Sequence, residues 1–314
     1  MQTSFAVAWA WIPIVVVAAM AQTARNAAQR TLTVQVGTLG ATLVRLLYGL
    51  PFAALAVALL QGFSDTPLTL PPFDGAFFGW VAFGAVSQVA ATAFLLGAMK
   101  ERNFIVAVTY SKTELLQVAV FAAVFLHEVP AWLTLIAIGV ASVGVVLLSV
   151  PQGASGKPGA EAVPARGWGG RVAVLGLASG AGFALSAVGY RGAALQLPGL
   201  SPWLAAAWGV LCAQALQSLL LGGWLALRTP EALHGIRKAW RISLLAGGMG
   251  ALASLSWFTA FAMRPAADVR TLGLVEVLFS YLVSRRLLRE KLGLAEQVGL
   301  ALVAIGLVVV CARL

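Results

Sequence analysis

Charge is what these 314 residues have least of. Only 10 % are Asp, Glu, Lys or Arg, against roughly a quarter in a soluble domain, and so dilute a charge excludes a water-facing globular surface. Histidine and cysteine are just as scarce, two of each. Cys212 and Cys311 lack metal-ligand spacing and make no disulfide framework, and with His127 and His234 the only histidines, no metal site is expected. No phosphate-binding loop or nucleophile triad is present, and Asp268 is the only aspartate near an apolar run. Those absences weigh against an integral-membrane enzyme and leave no cofactor to expect. The net charge of +10 does not point to nucleic acid, because the basic residues are scattered through short loops and build no continuous patch.

Apolar residues are plentiful: 60 % of the chain, with a mean hydropathy of +0.91. A spanning helix needs about 20 mostly apolar residues. Such runs lie near 5–22, 38–61, 75–98, 104–126, 132–150, 172–190, 202–227, 242–263, 269–288 and 294–312. Backbone in hydrocarbon must satisfy its own hydrogen bonds, so the expected fold class is an all-α integral membrane protein of ten transmembrane helices. Ala19-Met20-Ala21 resembles a signal-peptidase site, but no Lys or Arg precedes the apolar run, which therefore reads as the first span.

The stretch from Pro151 to Arg171 is rich in Pro and Gly, has no helical periodicity and reads as a flexible linker. It separates a first five-helix repeat (1–150) from a second (172–314). Landmarks recur between them. The shift along the chain that carries Glu114 onto Glu276 also carries Glu128 onto Glu290 and Gly144 onto Gly306. An odd number of spans per half inverts the second copy. Loop charge agrees: loops 1–2 and 3–4 carry Arg25, Arg30, Lys100 and Arg102. Loops 7–8 and 9–10 carry eight more cations, whereas loops 6–7 and 8–9 carry only Arg191, Arg264 and Arg270. With the linker and Arg313 the count is fifteen cations on one side and four on the other. The positive-inside rule makes the richer side cytoplasmic, which places both termini outside a cell inner membrane.

The segments Glu114-Leu-Leu-Gln…Leu126-His127-Glu128 and Glu276-Val-Leu-Phe…Arg289-Glu290-Lys291 resemble the drug/metabolite transporter superfamily, in particular its ten-span EamA-type members. The resemblance covers essentially the whole chain. It rests on a Glu in spans 4 and 9, a second Glu at one fixed spacing after it in a short turn, and a Gly-rich last span in each half. The Pro that often follows the first Glu is replaced by Leu115 and Val277. The resemblance implies transport of metabolites, amino acids or related small solutes by alternating access, and names no substrate.

A charge in the hydrocarbon core costs about 2.5–3.5 kcal/mol or more, so ionisable residues there are functional candidates. They are Arg45 in span 2, Lys112 and Glu114 in span 4, and Glu276 in span 9. Arg45 and Glu114 fall near the midplane and are expected to meet. Lys112 lies two positions before Glu114, on the opposite helix face, toward Glu276. Glu276, faced by Gln214 and by no arginine, is the better titrating group, because a low-dielectric cavity raises a carboxyl pKa. The alternative is a neutral structural set of two cations and two carboxylates. Tyr110 and Gln117 share the Glu114 face, and Ser280 shares that of Glu276. Gln88, Ser254, Ser256 and Trp257 are further lining, though Ser and Gln also simply tie helices together. Gly176-x-x-x-Gly180 and Gly299/Gly306 read as close helix contacts. Trp132, Trp203, Trp224 and Trp240 read as interfacial anchors.

The expected function is secondary-active carriage of a small-molecule substrate, with protons as the coupling ion, among membrane lipids. A flippase for a lipid-linked precursor is the alternative on the same fold.

Overall fold

The computed structural model describes residues 9–63, 70–100, 110–149, 170–279 and 294–312. All regular structure among them is helical: α1 (Trp11–Leu47), α2 (Leu50–Gly62), α3 (Gly75–Lys100), α4 (Glu114–Leu126), α5 (Trp132–Ser149), α6 (Arg171–Leu195), α7 (Pro202–Arg228), α8 (Pro230–Lys238), α9 (Trp240–Met263), α10 (Ala266–Leu272) and α11 (Leu294–Ala312). Five stretches are long and apolar enough to cross a membrane: Thr31–Gly62, Gly75–Ala98, Arg171–Leu195, Pro202–Arg228 and Trp240–Met263. Shorter apolar helices are Glu114–Leu126, Trp132–Leu148 and Gln297–Ala312. The protein is therefore a multi-pass membrane protein. Trp132, Trp203, Trp224 and Trp240 are all exposed, as anchors at a membrane surface would be.

The helices group into two compact units, Met1–Val86 with Gly189–Pro265, and Ser87–Val188 with Ala266–Leu314. Each unit takes helices from both sequence halves. The expected linker falls on residues outside those described, up to Gly170.

In the first unit α1 is a hairpin. Gln29 Nε2 donates to the Ala41 carbonyl at 2.8 Å, whereas the same stretch as straight helix would separate them by about 18 Å. The reversal is at Gly37, whose φ of 72° and ψ of 171° is a conformation open almost only to glycine. This corrects the expected first loop: Arg25 and Arg30 lie inside the first arm. From Ile14 to Val36 the sequence holds neither Pro nor Gly, so nothing stops the helix where the charges begin. Leu32, Val36, Leu43, Val44, Leu221, Leu225, Ile236 and Ala246 form the core joining the hairpin to α7, α8 and α9.

Of the four cations expected in loop 7–8, Arg228 ends α7, Arg241 opens α9, and Arg237 and Lys238 sit on α8. Glu231 in its first turn and Arg237 and Lys238 in its last complement the helix dipole, and Ile236 is its buried anchor. At the end of α9 the Arg191 guanidinium donates to the carbonyls of Phe261 (2.8 Å) and Ala262 (3.1 Å). Arg264 lies over the Trp11 ring, 5.8 Å from its centroid.

In the second unit α5 and α11 pack backbone to backbone. A Cβ on Gly144 would stand 2.7 Å from the Gly299 carbonyl, and one on Gly306 2.8 Å from Ala141 Cβ. Gly144, Gly299 and Gly306, having no side chain, allow this approach. Against α4, α5 and α11 packs the short helix α10, buried at Ala266, Ala267, Asp268, Val269, Thr271 and Leu272.

Candidate functional site

Two of the expected spans in the second unit are interrupted at corresponding points. Span 4 is helical at Tyr110 and Ser111, turns at Lys112–Thr113 and resumes as α4 at Glu114. The turn is tightened by i→i−3 bonds from Thr113 N to Tyr110 O (3.2 Å), Leu115 N to Lys112 O (3.4 Å) and Leu116 N to Thr113 O (3.0 Å). Thr113 Oγ1 also donates to Tyr110 O at 2.6 Å, the kind of local side-chain bond that competes with helical pairing. Gly180 of α6 admits this segment, since a Cβ there would meet Ser111 O at 2.9 Å and Thr113 Oγ1 at 3.0 Å.

Span 9 repeats the arrangement. α10 ends at Leu272, the chain turns at Gly273–Leu274 and is helical again over 275–279. Bonds run from Leu274 N to Thr271 O (3.1 Å), Glu276 N to Gly273 O (3.1 Å) and Val277 N to Leu274 O (2.9 Å). Glu114 and Glu276 thus each follow a break of the same type.

Arg270 interacts with both carboxylates. Arg270 Nη2 bonds Glu114 Oε1, and Glu276 is the neighbouring charge that acts on the same guanidinium. Asp268, two residues earlier, accepts from Thr134 Oγ1 at 3.0 Å and fixes α10 to α5. Glu114 stands in the first turn of α4. Its side chain is 10 % exposed and that of Arg270 23 %.

Several expectations change accordingly. Glu114 is ion-paired with Arg270, a partner the sequence does not name. Glu276 does have an arginine beside it. Arg270, expected in loop 8–9, lies in the last turn of α10. The unbroken run Ala266–Leu272 behind Pro265 is a helix-start signal that identifies its true setting. Lys112 is half-buried at the break. Gln117 Nε2 donates to Thr113 Oγ1 (2.9 Å) and to Leu177 O (3.4 Å), so its amide ties helices together. Tyr110 and Gln88 are half-buried in the same unit. Ser280 lies outside the described residues, as do Arg289, Glu290 and Lys291. His127 takes the left-handed position (φ 57°, ψ 22°) that ends α4, with Glu128 N bonded to Ala122 O at 3.2 Å.

The remaining expected residues lie in the first unit. Trp257 Nε1 donates to Gln22 Oε1 at 3.1 Å, a tie between α9 and α1. Gln214 packs against the α1–α2 junction, its amide oxygen 2.9 Å from where a Gly49 Cβ would be. Arg45 has the Tyr190 phenol as its electrostatic neighbour. Tyr190 Oη accepts from Gln217 Nε2 at 3.1 Å, and Gln217 also donates to Ala85 O at 3.2 Å. Among the described residues no group of three or more His, Cys, Asp or Glu could hold a metal ion.

Residues 170–312 match the model of the EamA-like transporter family. That half of the chain is similar to the family, in keeping with the superfamily that the paired Glu segments resemble. One solved crystal structure, described only as that of a protein, is similar over 97 % of both chains with a TM-score of 0.67 at 17 % identity, a likeness of fold. No curated protein matches the sequence. The apolar helices indicate a multi-pass membrane protein, and the family to which its second half is similar is one of transporters.

Proposed function

We propose that this protein is a secondary-active carrier of a small organic solute, an amino acid, amine or related metabolite. It works by alternating access in the cell inner membrane, through ten spans built as two inverted five-helix repeats. The observation that carries the reading is the sharing of Arg270 by Glu114 and Glu276. Two carboxylates and one guanidinium leave an excess negative charge when all are ionised, and hydrocarbon surroundings make that excess costly. A proton or a substrate ammonium group removes it. Interrupted helices support the same reading, because irregular backbone at membrane depth is tolerated where it lines a cavity. Here one break comes from each sequence half, and the two are related by nearly the same shift along the chain as the two glutamates.

The test begins with a thermal-shift screen of the purified protein against amino acids, amines, sugars and nucleotides at two pH values. A ligand at 100 times its Kd adds about 2.7 kcal/mol of apparent stability. The hit is then followed into proteoliposomes under an imposed pH gradient. Wild-type transport is expected to respond to the gradient and Glu276→Gln to transport without that response; a Glu276→Gln protein with an unaltered pH profile refutes the titrating role. The second reading, a flippase for a lipid-linked precursor, draws support from a cavity of about 360 Å³ in the first unit lined mainly by apolar residues, among them Ile14, Val17, Leu60, Trp203 and Leu252. A screen without any water-soluble ligand favours it.

A further inference from the structure

The first unit contains a cation, Arg45, that none of its described carboxylates neutralises. Arg45 lies eight residues beyond the Gly37 reversal, about 12 Å along the helix, well inside a hydrocarbon layer of about 30 Å. Its Nε is buried without a hydrogen-bond partner. The described carboxylates of this unit are Asp74 and Glu231, both exposed. Asp74 caps the start of α3 by accepting from Phe77 N at 2.7 Å, and Glu231 belongs to the first turn of α8. The stem of a second arginine comes close, since a Cβ on Gly250 would meet Arg25 Cδ at 3.4 Å and Arg45 Cβ at 3.5 Å, although the Arg25 guanidinium itself bonds Asn26 Oδ1.

Polar side chains gather beside Arg45. Gln214, Gln217 and Ser218 occupy positions i, i+3 and i+4 of α7 and so share a face, and all three are buried. Gln214 Oε1 and Ser218 Oγ have no hydrogen-bond partner. The Gln214 amide can turn either end toward a ligand, and the Ser218 hydroxyl can donate. Tyr190, which Gln217 holds in place, is the electrostatic neighbour of Arg45. Arginine cannot discharge itself by losing its proton, and a half-buried charge at membrane depth with no carboxylate of its own unit beside it is costly. Two buried polar groups without protein partners, at 4 % and 8 % exposure, lie on the α7 face whose Gln214 packs at the Gly49 turn just after Arg45.

We propose that Arg45, with Tyr190, Gln214 and Ser218, forms an anion-binding site in the first unit that takes a carboxylate or phosphate group. Arginine suits either group, because its planar fork meets two oxygens at once. The site stands on this unit alone and does not depend on the Glu114–Arg270–Glu276 group. Two sources share the required chemistry, a soluble solute and a lipid headgroup.

The experiment uses full-length protein in phosphatidylcholine nanodiscs, titrated with acetate, succinate and inorganic phosphate. Acetamide serves as the uncharged control, and sodium chloride holds the ionic strength constant. A parallel set of nanodiscs replaces a third of the phosphatidylcholine by phosphatidylglycerol, without added anion. A rise in Tm with a soluble anion but not with acetamide assigns a solute site; a rise only with phosphatidylglycerol assigns a headgroup site. In either case Arg45→Gln is expected to weaken the response at least tenfold, and Arg241→Gln, at the exposed start of α9, to leave it unchanged. Should Arg45→Gln not fold, Gln214→Leu and Ser218→Ala keep the cation and are expected to weaken the response severalfold. No anion-dependent rise in wild type, or an equal rise in the Arg45 and α7 variants, overturns the proposal.

Discussion

Arg270 and Glu114 illustrate how much rests on single side chains in this protein. Removing one partner of a buried ion pair leaves the other uncompensated and costs about 3–5 kcal/mol. With Arg270 23 % exposed, the lower end of that range is expected for Arg270→Gln, measured as the fall in unfolding free energy in detergent. The double variant Glu114→Gln with Arg270→Gln is expected to recover part of that loss, because neither charge is then stranded. A double variant that shows the simple sum of the single losses would refute coupling between the two groups. The carboxylates of this site were legible in the sequence, since charges are so rare in apolar runs that each draws notice. Arg270 was not. Pro265 and Asp268 made the segment resemble a loop, and only packing against α4, α5 and α11 shows that a short helix enters the bundle there.

At the scale of elements, glycine decides where helices turn and how closely they approach. Gly37→Ala is expected to cost about 1–3 kcal/mol, because its backbone conformation is essentially closed to other residues. The measurement is the same unfolding assay, and a variant as stable as wild type would show that the α1 hairpin turns by other means. Gly144→Ala places a methyl within 2.7 Å of the Gly299 carbonyl and is expected to cost about 1–3 kcal/mol, the range for overpacking. Helix locations were largely legible, as hydropathy demands. Interruptions were not, because Thr113 and Gly273 stand inside runs whose average hydropathy stays high. Averaging over the length of a whole span cannot report a turn of two. The reach of α1 through Arg25 and Arg30 is hidden for the opposite reason: charge suggests the end of a span, yet no residue there breaks a helix.

For the whole molecule, the charge count remains the basis of orientation. Removing Arg25 and Arg30 from the loops reduces the richer side but does not reverse the bias. In a background with Cys212 and Cys311 replaced by serine, Ser201→Cys is expected to react with an impermeant maleimide from outside intact cells. Thr229→Cys is expected to react only after permeabilisation. The reverse pattern would invert the orientation. The proposed duplication is read from spaced glutamates and glycines, whereas the compact units had no sequence signal. Each draws on both sequence halves, and helix partners far apart in the chain leave no periodic trace in it.

The bonds from Arg191 to the end of α9 carry a consequence for how this chain can change. In an unbroken helix the carbonyl of Phe261 would receive the N–H of residue 265, but that residue is Pro265, which has none. The guanidinium at 2.8 Å replaces the missing donor from another helix. Pro265 ends α9 and leads the chain into α10, so the start of the helix that carries Arg270 is prepared by a residue whose own defect Arg191 repairs. The two positions should therefore be permissive of one another: Arg191→Met alone strands a carbonyl, while Arg191→Met together with Pro265→Ala restores a donor from the backbone itself.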